Sequence, residues 1–257
     1  MKSSSNSNRF YDQLAPVYHI KVDWKNRADK ENRLFEFLTK TLQPSRVLDI
    51  GCGDGGHAQR YTDAAVKYHG IDKSSTMVQA AKSACGQMPG VSFSTGDMTK
   101  LPRSYTKQFD QVIVLGNTIP HLITNGDMKK AAAGFSRCLR TGGHLVLQTV
   151  NPRVLENTSV FLLPPKLAQG TLFTPFYVNR GKYWEFVMPI FSVANESVSS
   201  KSAASTMLRF WSREELKVAG KARGLRLISA FGDAGLSPYK PRSSGNMILL
   251  FRKIADA

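Results

Sequence analysis

The stretch Asp49-Ile50-Gly51-Cys52-Gly53-Asp54-Gly55-Gly56 decides the fold class of this 257-residue chain. The segment 47–50 leading into it is short and mostly apolar, which is typical of a buried strand, and a helix is predicted directly after it. A strand that enters a glycine-rich turn and then a helix allows the backbone to approach a ligand closely. We call residues 51–56 the glycine turn and predict that it binds a ligand at the end of a parallel strand.

Strands and helices alternate on both sides of the glycine turn. We predict helices over residues 27–41, 57–64, 74–84, 127–140 and 212–224. We predict strands over residues 47–50, 66–72, 91–97, 108–117, 144–151, 225–233 and 246–253. The last two strands are joined by too short a loop for a crossover helix, so they should pair antiparallel. The pattern predicts an α/β fold with a doubly wound, seven-stranded, mostly parallel sheet and an antiparallel last strand.

Several helix ends carry their own signals. Ser74 or Ser75 is expected to be an N-cap, and Asp127 is expected to cap the helix that Gly142-Gly143 ends. Ser212 is followed three residues later by Glu215, which predicts a capping box.

Residues 152–211 break the alternation and are rich in aromatic residues and prolines. Segments 182–194 and 205–211 are predicted strands, and we interpret the region as a β-rich cap insertion over the ligand crevice. The alternative is a structural insertion whose aromatic residues form a core. We therefore divide the chain into an N-terminal lid segment and helix, a ligand-binding core, the cap, and a C-terminal helix with two strands, over residues 1–44, 45–151, 152–211 and 212–257. The first ten residues are interpreted as a polar tail.

Composition excludes several classes of protein. Hydrophobic residues make up 42% and charged residues 21%, which argues against a disordered chain. No apolar run approaches the roughly 20 residues of a membrane span, and the N-terminus lacks a signal-peptide pattern. The three cysteines are widely spaced, so neither a disulfide framework nor a metal site is expected, and we expect a cytoplasmic protein. The net charge of +16 is interpreted as a solvated basic surface, with RNA as an alternative partner.

Two cofactor classes compete for the glycine turn. Gly51, Gly53 and Gly56 fit the GxGxxG dinucleotide pattern, and Asp72 lies about 20 residues further on, where a ribose-binding acid is expected. Asp49 favours a cationic ligand instead, because a pyrophosphate at the turn would face its carboxylate. The Coulomb energy between two unit charges at ~4 Å and an effective dielectric near 20 is about 4 kcal/mol. An NAD-dependent oxidoreductase remains the alternative at this point.

Acidic residues end the next two strands as well. Asp72 can accept hydrogen bonds from two ribose hydroxyls. Asp97 can accept from an adenine amino group, and Met98 offers an apolar contact to the ring. Because open parallel sheets bind ligands outside the carboxyl ends of their strands, these side chains should line one crevice. The sequence thus favours a positively charged nucleoside as the ligand.

At these motifs the sequence resembles the class I S-adenosylmethionine-dependent methyltransferases. The similar segments lie within residues 45–151 and are VLDIGCGDGG, GIDKSSTMVQAAK, STGDMTKLP, FDQVIVLGNTIPHL and LRTGGHLVLQTVN. The segment LGNTIPHL, the head YDQLAPVYH and the tail from RFWSREEL to NMILLFRK are similar to the glycine/sarcosine N-methyltransferase-like branch. The resemblance implies a Rossmann-like enzyme with S-adenosyl-L-methionine as cofactor.

The resemblance also implies roles for individual residues. The methionine part of the cofactor is expected beside the residues of the turn: Asp49, Gly51, Cys52 and Gly53, with Cys52 interpreted as a packing residue. The adenosine part is expected beside five side chains further along: Asp72, Lys73, Met77, Asp97 and Met98. Leu115 would lie beside the methyl donor, and Arg27 aligns with an arginine that binds the cofactor carboxylate. Three aromatic residues near the N-terminus would form a lid: Tyr11, Tyr18 and Trp24.

Two residues after the fourth strand are the catalytic candidates. Asn117 is either a substrate ligand or a turn residue. His121 either contacts the substrate or accepts a proton, or else it bonds the backbone and caps the turn at Pro120. Arg180 is the candidate cation for a substrate carboxylate.

The function expected from these residues is in-line methyl transfer to a small-molecule acceptor, with an amine nitrogen as the favoured atom. Positioning would supply most of the rate enhancement. The alternatives are a tRNA methyltransferase, an NAD-dependent oxidoreductase and a binding module without turnover. No membrane partner is expected.

Overall fold

The computed structural model describes residues 4–195 and 197–255, with side chains from Arg9 onward. The strands, in chain order, are β1 (Arg46–Ile50), β2 (Lys67–Asp72), β3 (Val91–Thr95), β4 (Phe109–Val114), β5 (Leu139–Val150), β6 (Val160–Leu162), β7 (Lys166–Ala168), β8 (Thr171–Phe173), β9 (Phe176–Arg180), β10 (Tyr183–Ala194), β11 (Ser197–Leu208), β12 (Leu225–Phe231) and β13 (Asn246–Lys253). The α-helices are α1 (Ser4–Val22), α2 (Trp24–Glu36), α3 (Ala58–Thr62), α4 (Ser75–Cys85), α5 (Asn125–Cys138) and α6 (Arg213–Lys221). A π-helical turn, Phe37–Thr41, continues α2.

The core of the molecule is a seven-stranded sheet in the order β12-β13-β5-β4-β1-β2-β3. Strand β1 pairs in parallel with β2 and β4, so Leu48 lies between His69 and Val112. Strand β13 runs antiparallel to both β5 and β12. The predicted fold class is confirmed. The strand order reverses between β4 and β1, which is where open sheets of this kind leave a crevice for a ligand.

Strand β4 shows why a continuous apolar run suits this sheet. Val112 and Val114 pack in the hydrophobic cluster on one face, and Ile113 packs in the cluster on the other. Successive side chains of a strand point to opposite faces, so both faces must be apolar when both are covered.

The observed helix ends can be compared with the capping residues predicted from the sequence. Ser74 caps α4 by accepting a hydrogen bond from the backbone N–H of Met77 at 3.1 Å, and the capping box of Ser212 and Glu215 is present, as predicted. The prediction of Asp127 as an N-cap is wrong, because α5 begins two residues earlier at Asn125. Thr124 is the cap, and its Oγ1 accepts from the N–H of Asp127 at 3.0 Å.

Gly142 and Gly143 do not end α5 either. The helix ends at Cys138, and both glycines lie inside β5, where the pairing with β4 shifts register. A Cβ on Gly143 would stand 2.8 Å from the carbonyl oxygen of Asp110. The glycines therefore permit a close strand contact rather than a helix stop.

The N-terminal segment is helical where a polar tail was predicted. Helix α1 begins at Ser4, and its residues Phe10, Leu14 and Val17 are buried at helical spacing. They pack against Met188, Ile190 and other side chains of the second sheet. This tertiary contact stabilises a helix that the surrounding serines and asparagines do not favour.

The second sheet, which we call the cap sheet, contains β6 to β11. Its order is β6-β9-β10-β8-β7, and β11 pairs with β10. The predicted strand at 182–194 corresponds to β10, whereas β11 begins earlier than the predicted 205–211 and β6 to β9 were not predicted. Within residues 4–195 and 197–255, no helix is both long and apolar enough to cross a membrane.

Candidate functional site

A cleft opens at the carboxyl ends of β1 to β4, beneath α1. It gathers most of the predicted site residues: Tyr18, Trp24, Arg27, Gly51, Cys52, Gly53, Asp72, Lys73, Asp97, Met98, Leu115 and His121. Tyr11, predicted as part of the lid, lines it too. Asp49, Met77 and Asn117 are not among the lining residues.

The glycine turn forms the floor of the cleft. Gly51 has a φ of 76°, and a Cβ there would stand 2.5 Å from the side chain of Thr118. The N–H groups of Gly51 and Cys52 donate to the carbonyl oxygen of Ile71 at 2.8 and 3.0 Å, which fixes the turn to β2. Only glycine combines this conformation with this proximity, so the turn exposes its backbone to the cleft.

Asp72 ends β2 and faces the cleft with both carboxylate oxygens placed by the backbone. Its Oδ2 accepts from the N–H of Gly53, and its Oδ1 accepts from the N–H of Ser74, each at 2.9 Å. Burial raises the pKa of Asp72, and the two N–H donors oppose this rise. Each oxygen keeps a further acceptor position, which matches the paired hydroxyls of a ribose.

Asp97 follows β3 and holds Lys73. Its Oδ1 accepts from the N–H and the hydroxyl of Thr99 at 2.8 and 2.7 Å, and its Oδ2 lies 3.1 Å from Lys73 Nζ. Burial raises the pKa of Asp97, but the hydrogen bonds from Thr99 and Lys73 outweigh burial and bring the pKa below its usual value. The carboxylate is therefore ionised at neutral pH, with one acceptor position left on Oδ2.

Arg27 presents its guanidinium to the cleft from α2. Its Nε donates to Glu31 Oε1 at 2.9 Å, and the group lies 4.8 Å from the centre of the Trp24 ring. The two terminal nitrogens lie 3.4 and 3.7 Å from the position of a Cβ on Gly116. A guanidinium held through Nε keeps its terminal N–H groups for an anion.

The structure corrects the expectation for Asp49. Its carboxylate is 1% exposed and accepts from the hydroxyl of Tyr68 at 2.7 Å, with His57 Nδ1 at 3.2 Å. It therefore lies below the glycine turn and is separated from the cleft by His57, which does line the cleft. The histidine directly after the glycine turn was the sequence signal that could have identified this residue.

Asn117 is also displaced from its predicted role. Its backbone has a φ of 68°, and the residue does not line the cleft. Its Oδ1 accepts from the N–H of Val150 at 3.2 Å, and its Nδ2 donates to the hydroxyl of Tyr177 at 3.4 Å. Asn117 thus ties β4 to β5 and the cap sheet, as in the turn interpretation.

Two further predicted residues lie outside the cleft. The side chain of Met77 is 1% exposed and packs within the first turn of α4. Arg180 is exposed on β9 and pairs with Glu185 at 2.8 Å, so it does not supply a cation to the cleft.

The roof of the cleft is formed by α1. The Tyr18 ring lies 3.5 Å from the position of a Cβ on Gly53, and Tyr11 bonds His121 Nε2 at 3.0 Å. The Ser74 hydroxyl donates to Asp12 Oδ1 at 2.6 Å, which fastens the helix to α4. The roof therefore depends on contacts with three separate segments of the core.

His121 is neutral at physiological pH. Burial, with a smaller effect of Lys73, lowers the pKa of His121 to about 4. Its Nδ1 is buried without a hydrogen-bond partner in the described part of the chain. The ring bonds Tyr11 and not the backbone, so the predicted capping of the Pro120 turn is not found.

Sequence reasoning missed other residues that line the cleft. They are Ile50, His57, Ser74, Gly96, Thr99, Gly116, Thr118, Leu122, Ile123, Asp127 and Met207. Met207 comes from β11. Large aromatic side chains of the cap insertion, such as Tyr177, Trp184 and Phe210, instead form a buried cluster.

Residues 47–143 match the family model of a methyltransferase domain. This chain carries a class I methyltransferase domain. The methyltransferase domain covers β1 to the start of β5 and includes the glycine turn and all three acidic strand ends. The domain match and the N-methyltransferase relatives support S-adenosylmethionine as the cofactor, which sets aside the alternative of an NAD-dependent oxidoreductase.

Curated relatives resemble the methyltransferase over part of their length. A glycine/sarcosine N-methyltransferase of Parasynechococcus marenigrum is 33% identical over 140 residues, which are 54% of this chain and 50% of the relative. A tRNA U34 carboxymethyltransferase of Methylococcus capsulatus is 33% identical over 154 residues, covering 58% of this chain and 45% of that protein. The matches thus span about half the length of these relatives.

A solved structure shares most of the fold. CalS10, an amino pentose methyltransferase from Micromonospora echinaspora, superposes with a TM-score of 0.72 at 20% identity, covering 91% of this chain and 96% of that one. The structural similarity therefore extends well beyond residues 47–143.

The cleft residues fit S-adenosylmethionine. The open acceptor positions of Asp72 suit the ribose, Asp97 and Met98 suit adenine, and the terminal nitrogens of Arg27 suit a carboxylate. A Cβ on Gly53 would stand 3.5 Å from the Tyr18 ring, so the glycine leaves space between the turn and the roof of the cleft.

Proposed function

We propose that this protein transfers a methyl group from S-adenosylmethionine to an amine nitrogen of a small molecule. The observation that carries this proposal is the cleft itself. Acidic strand ends and the glycine turn form one side of it, and neutral aromatic residues of α1 close the other. When bound, S-adenosylmethionine supplies a methyl group that is already activated by a sulfonium.

The charged side of the cleft would hold the cofactor. Asp72 would bind the ribose hydroxyls, and Asp97 with Met98 would bind the adenine. Arg27 would bind the carboxylate of the methionine part. Hydrogen bonds already fix Asp72, Asp97 and Arg27, so little of their side-chain entropy is lost when a ligand binds.

The neutral side of the cleft would orient the acceptor. Tyr11 and His121 form a hydrogen-bonded pair, and His121 Nδ1 keeps its hydrogen-bonding capacity. Burial keeps His121 uncharged, so it does not repel an amine that approaches in its protonated form. A neutral amine needs little help from a base, and the main task of these residues is to position it and exclude water.

The relatives support an amine acceptor. Glycine/sarcosine N-methyltransferase and an amino pentose methyltransferase are named for amines that differ in the rest of the molecule. The chemistry common to them is a nitrogen nucleophile, which is the level at which we make the proposal.

Calorimetry with S-adenosylhomocysteine, followed by a methyl-transfer screen over amines, phenols and carboxylic acids, tests this function. We expect binding of S-adenosylhomocysteine, no binding of NADH, and methylation of at least one amine. Absence of binding at millimolar S-adenosylhomocysteine contradicts the cofactor assignment. Methylation of phenols or carboxylic acids alone contradicts the amine assignment.

A tRNA substrate is the second candidate. The net charge of +16 and the similarity to a tRNA carboxymethyltransferase favour it. It predicts tRNA binding that weakens steeply as the salt concentration rises, because phosphate contacts release counterions. Binding measurements over a salt series, with a tRNA transcript and a DNA duplex of equal length, separate this candidate from the first.

We also propose that the protein works in the cytoplasm and that the cap insertion helps to select the acceptor. Cys52, Cys85 and Cys138 are all free and buried, which fits a reducing compartment. Met207, on β11 of the cap sheet, lines the cleft.

A further inference from the structure

A buried row of charged groups lies behind the Arg27 end of the cleft. Arg27 Nε is 2.9 Å from Glu31 Oε1, and Glu31 Oε2 is 3.4 Å from His57 Nε2. On its other side, His57 Nδ1 is 3.2 Å from Asp49 Oδ2, which also accepts from the hydroxyl of Tyr68. The row therefore runs from the cleft wall at Arg27 to the strand below the glycine turn.

The row is shielded from solvent. The side chains of His57, Glu31 and Asp49 are 7%, 8% and 1% exposed. Trp24 and Phe35 pack around the imidazole, with ring centres 5.0 and 5.1 Å away. Charges in such surroundings interact strongly because water does not screen them.

The charges in the row balance only when His57 is protonated. Asp49 and Glu31 then face the cations of Arg27 and His57. Burial lowers the pKa of His57, but the two carboxylates outweigh burial and raise the pKa above its usual value. With a neutral imidazole the row would carry a net negative charge beside the end of the cleft assigned to a carboxylate.

His57 also has hydrogen-bonding capacity that the protein does not use. Its Nε2 lies close to Glu31 but without the geometry of a hydrogen bond, and it has no other partner among the described residues. His57 is itself a lining residue of the cleft. The imidazole thus lies at the wall of the cleft and beside Glu31.

We propose that His57 is a positioning residue for the cofactor: its protonated ring balances Asp49 and Glu31 and so leaves the Arg27 guanidinium free to bind the cofactor carboxylate. This inference rests on the proposed function, because it requires S-adenosylmethionine at this end of the cleft. A neutral His57 leaves Glu31 and Asp49 to repel the incoming carboxylate, so cofactor affinity falls as the pH rises.

Other ionisable groups also lie near His57. Asp54 accepts from Trp24 Nε1 at 2.9 Å, and burial raises its pKa. Burial also raises the pKa of Tyr68 well above its usual value, so Tyr68 stays neutral. Within the row, His57 is the group whose ordinary pKa lies nearest to neutral pH, and against the effect of burial its two carboxylate neighbours raise that pKa.

The first experiment compares two ligands on the unmodified protein. S-adenosylhomocysteine carries the carboxylate, and decarboxylated S-adenosylhomocysteine keeps the same nucleoside and the amine but lacks the carboxylate. Between about pH 6 and about pH 8.5, we expect the Kd of S-adenosylhomocysteine to rise about tenfold, the linkage expected from a pKa change of about one unit. The Kd of the decarboxylated ligand should change less than about twofold. Equal pH dependence of the two ligands, or none for either, overturns the proposal.

The second experiment uses His57→Gln, with His144→Gln on β5 as the matched control. We expect His57→Gln to bind S-adenosylhomocysteine with a flat pH profile, near the affinity of the unmodified protein at high pH. In kinetics it should raise KM for S-adenosylmethionine and leave kcat unchanged. His144→Gln should keep the original profile. A folded His57→Gln protein with the original pH dependence overturns the proposal.

Burial and the nearby Arg27 lower the pKa of Lys21 to about 8, so the ligand comparison is repeated on Lys21→Gln. A carboxylate-specific pH dependence that persists in Lys21→Gln supports His57 even where His57→Gln does not fold, and its loss in Lys21→Gln overturns the proposal. The ligand comparison also separates this inference from the proposed function. Failure of S-adenosylhomocysteine to bind at any pH contradicts the proposed function, whereas strong binding without a carboxylate-specific pH dependence contradicts only the role of His57.

Discussion

The two sides of the cleft are built in different ways. One side carries charges, namely Asp72 and Asp97 at strand ends and Arg27 on α2, which hydrogen bonds or ion pairs hold in place. The other side carries Tyr11 and Tyr18 on α1 and the neutral His121 after β4. The two carboxylates of the charged side follow strands of the core sheet, whereas the neutral side depends largely on α1, which packs on the cap sheet.

This difference suggests that one side of the cleft binds the cofactor and the other binds the acceptor. A charged nucleoside ligand gains from fixed carboxylates and a guanidinium, whose geometry need not change between substrates. An acceptor that differs between related enzymes is better served by aromatic and hydroxyl groups on a separate element. Changes on the charged side should therefore alter cofactor affinity, and changes on the neutral side should alter stability or acceptor use.

The largest expected effect is a loss of stability in mild acid that depends on His121. Its folded pKa of about 4 lies below its ordinary value of 6.5, so the unfolded chain binds a proton in this range that the folded protein does not. Stability should therefore fall as the pH drops from about 6.5 to about 4, by about 3 kcal/mol from this residue. Urea unfolding across this range should show a shallower fall for His121→Asn. Equal slopes for the two proteins would show that the neutral side does not depend on an uncharged imidazole.

The second effect concerns the charged side. Asp72→Asn keeps the shape but removes the charge and one acceptor oxygen. We expect S-adenosylhomocysteine to bind about 30-fold more weakly, or about 2 kcal/mol. Calorimetry measures this, with Asp63→Asn at the exposed end of α3 as the control. An unchanged affinity would remove Asp72 from the cofactor site.

The third effect separates crowding from backbone strain in the glycine turn. Gly51 and Gly181 have φ values of 76° and 73°, but a Cβ on Gly181 would meet nothing within 4 Å. Gly51→Ala should cost about 2 kcal/mol of unfolding free energy and Gly181→Ala about 1 kcal/mol. Thermal and urea unfolding compare the two variants. Equal losses would mean that the contact with Thr118 is relieved by movement of its side chain.

The smallest effect belongs to Tyr11. Tyr11→Phe keeps the ring packed on α1 and removes the hydrogen bond to His121. We expect a loss of about 1 kcal/mol in unfolding free energy and less than a twofold change in S-adenosylhomocysteine affinity. Unfolding and calorimetry on the same preparation test both parts. A large loss of cofactor affinity would contradict the division between the two sides.

The sequence predicted the charged side well, because that side follows from local rules. Strand periodicity located β1, β2 and β3, and the parallel arrangement then placed Asp72 and Asp97 at one edge. The glycine turn was found from its glycines directly after a predicted strand, since positive φ values favour glycine. The methyltransferase domain match covers all of these segments.

Side-chain directions were less predictable. Asp49 and Asn117 both stand at strand ends, yet Asp49 turns below the glycine turn towards Tyr68 and Asn117 turns towards β5. Each direction depends on partners distant in sequence, and for Asn117 also on a left-handed backbone. The position of His57 in the site likewise depends on its contacts with Asp49 and Glu31.

The sequence by itself determined the core sheet, the glycine turn and the acidic strand ends, because hydrophobic periodicity and glycine conformation act over a few residues. Only the tertiary structure decided the helical N-terminus, the extent of the cap sheet and the buried row behind Arg27. These features depend on contacts between distant segments, such as Phe10 with the cap sheet and Glu31 with His57. Burial and charge pairing across such distances determine both their structure and their ionisation.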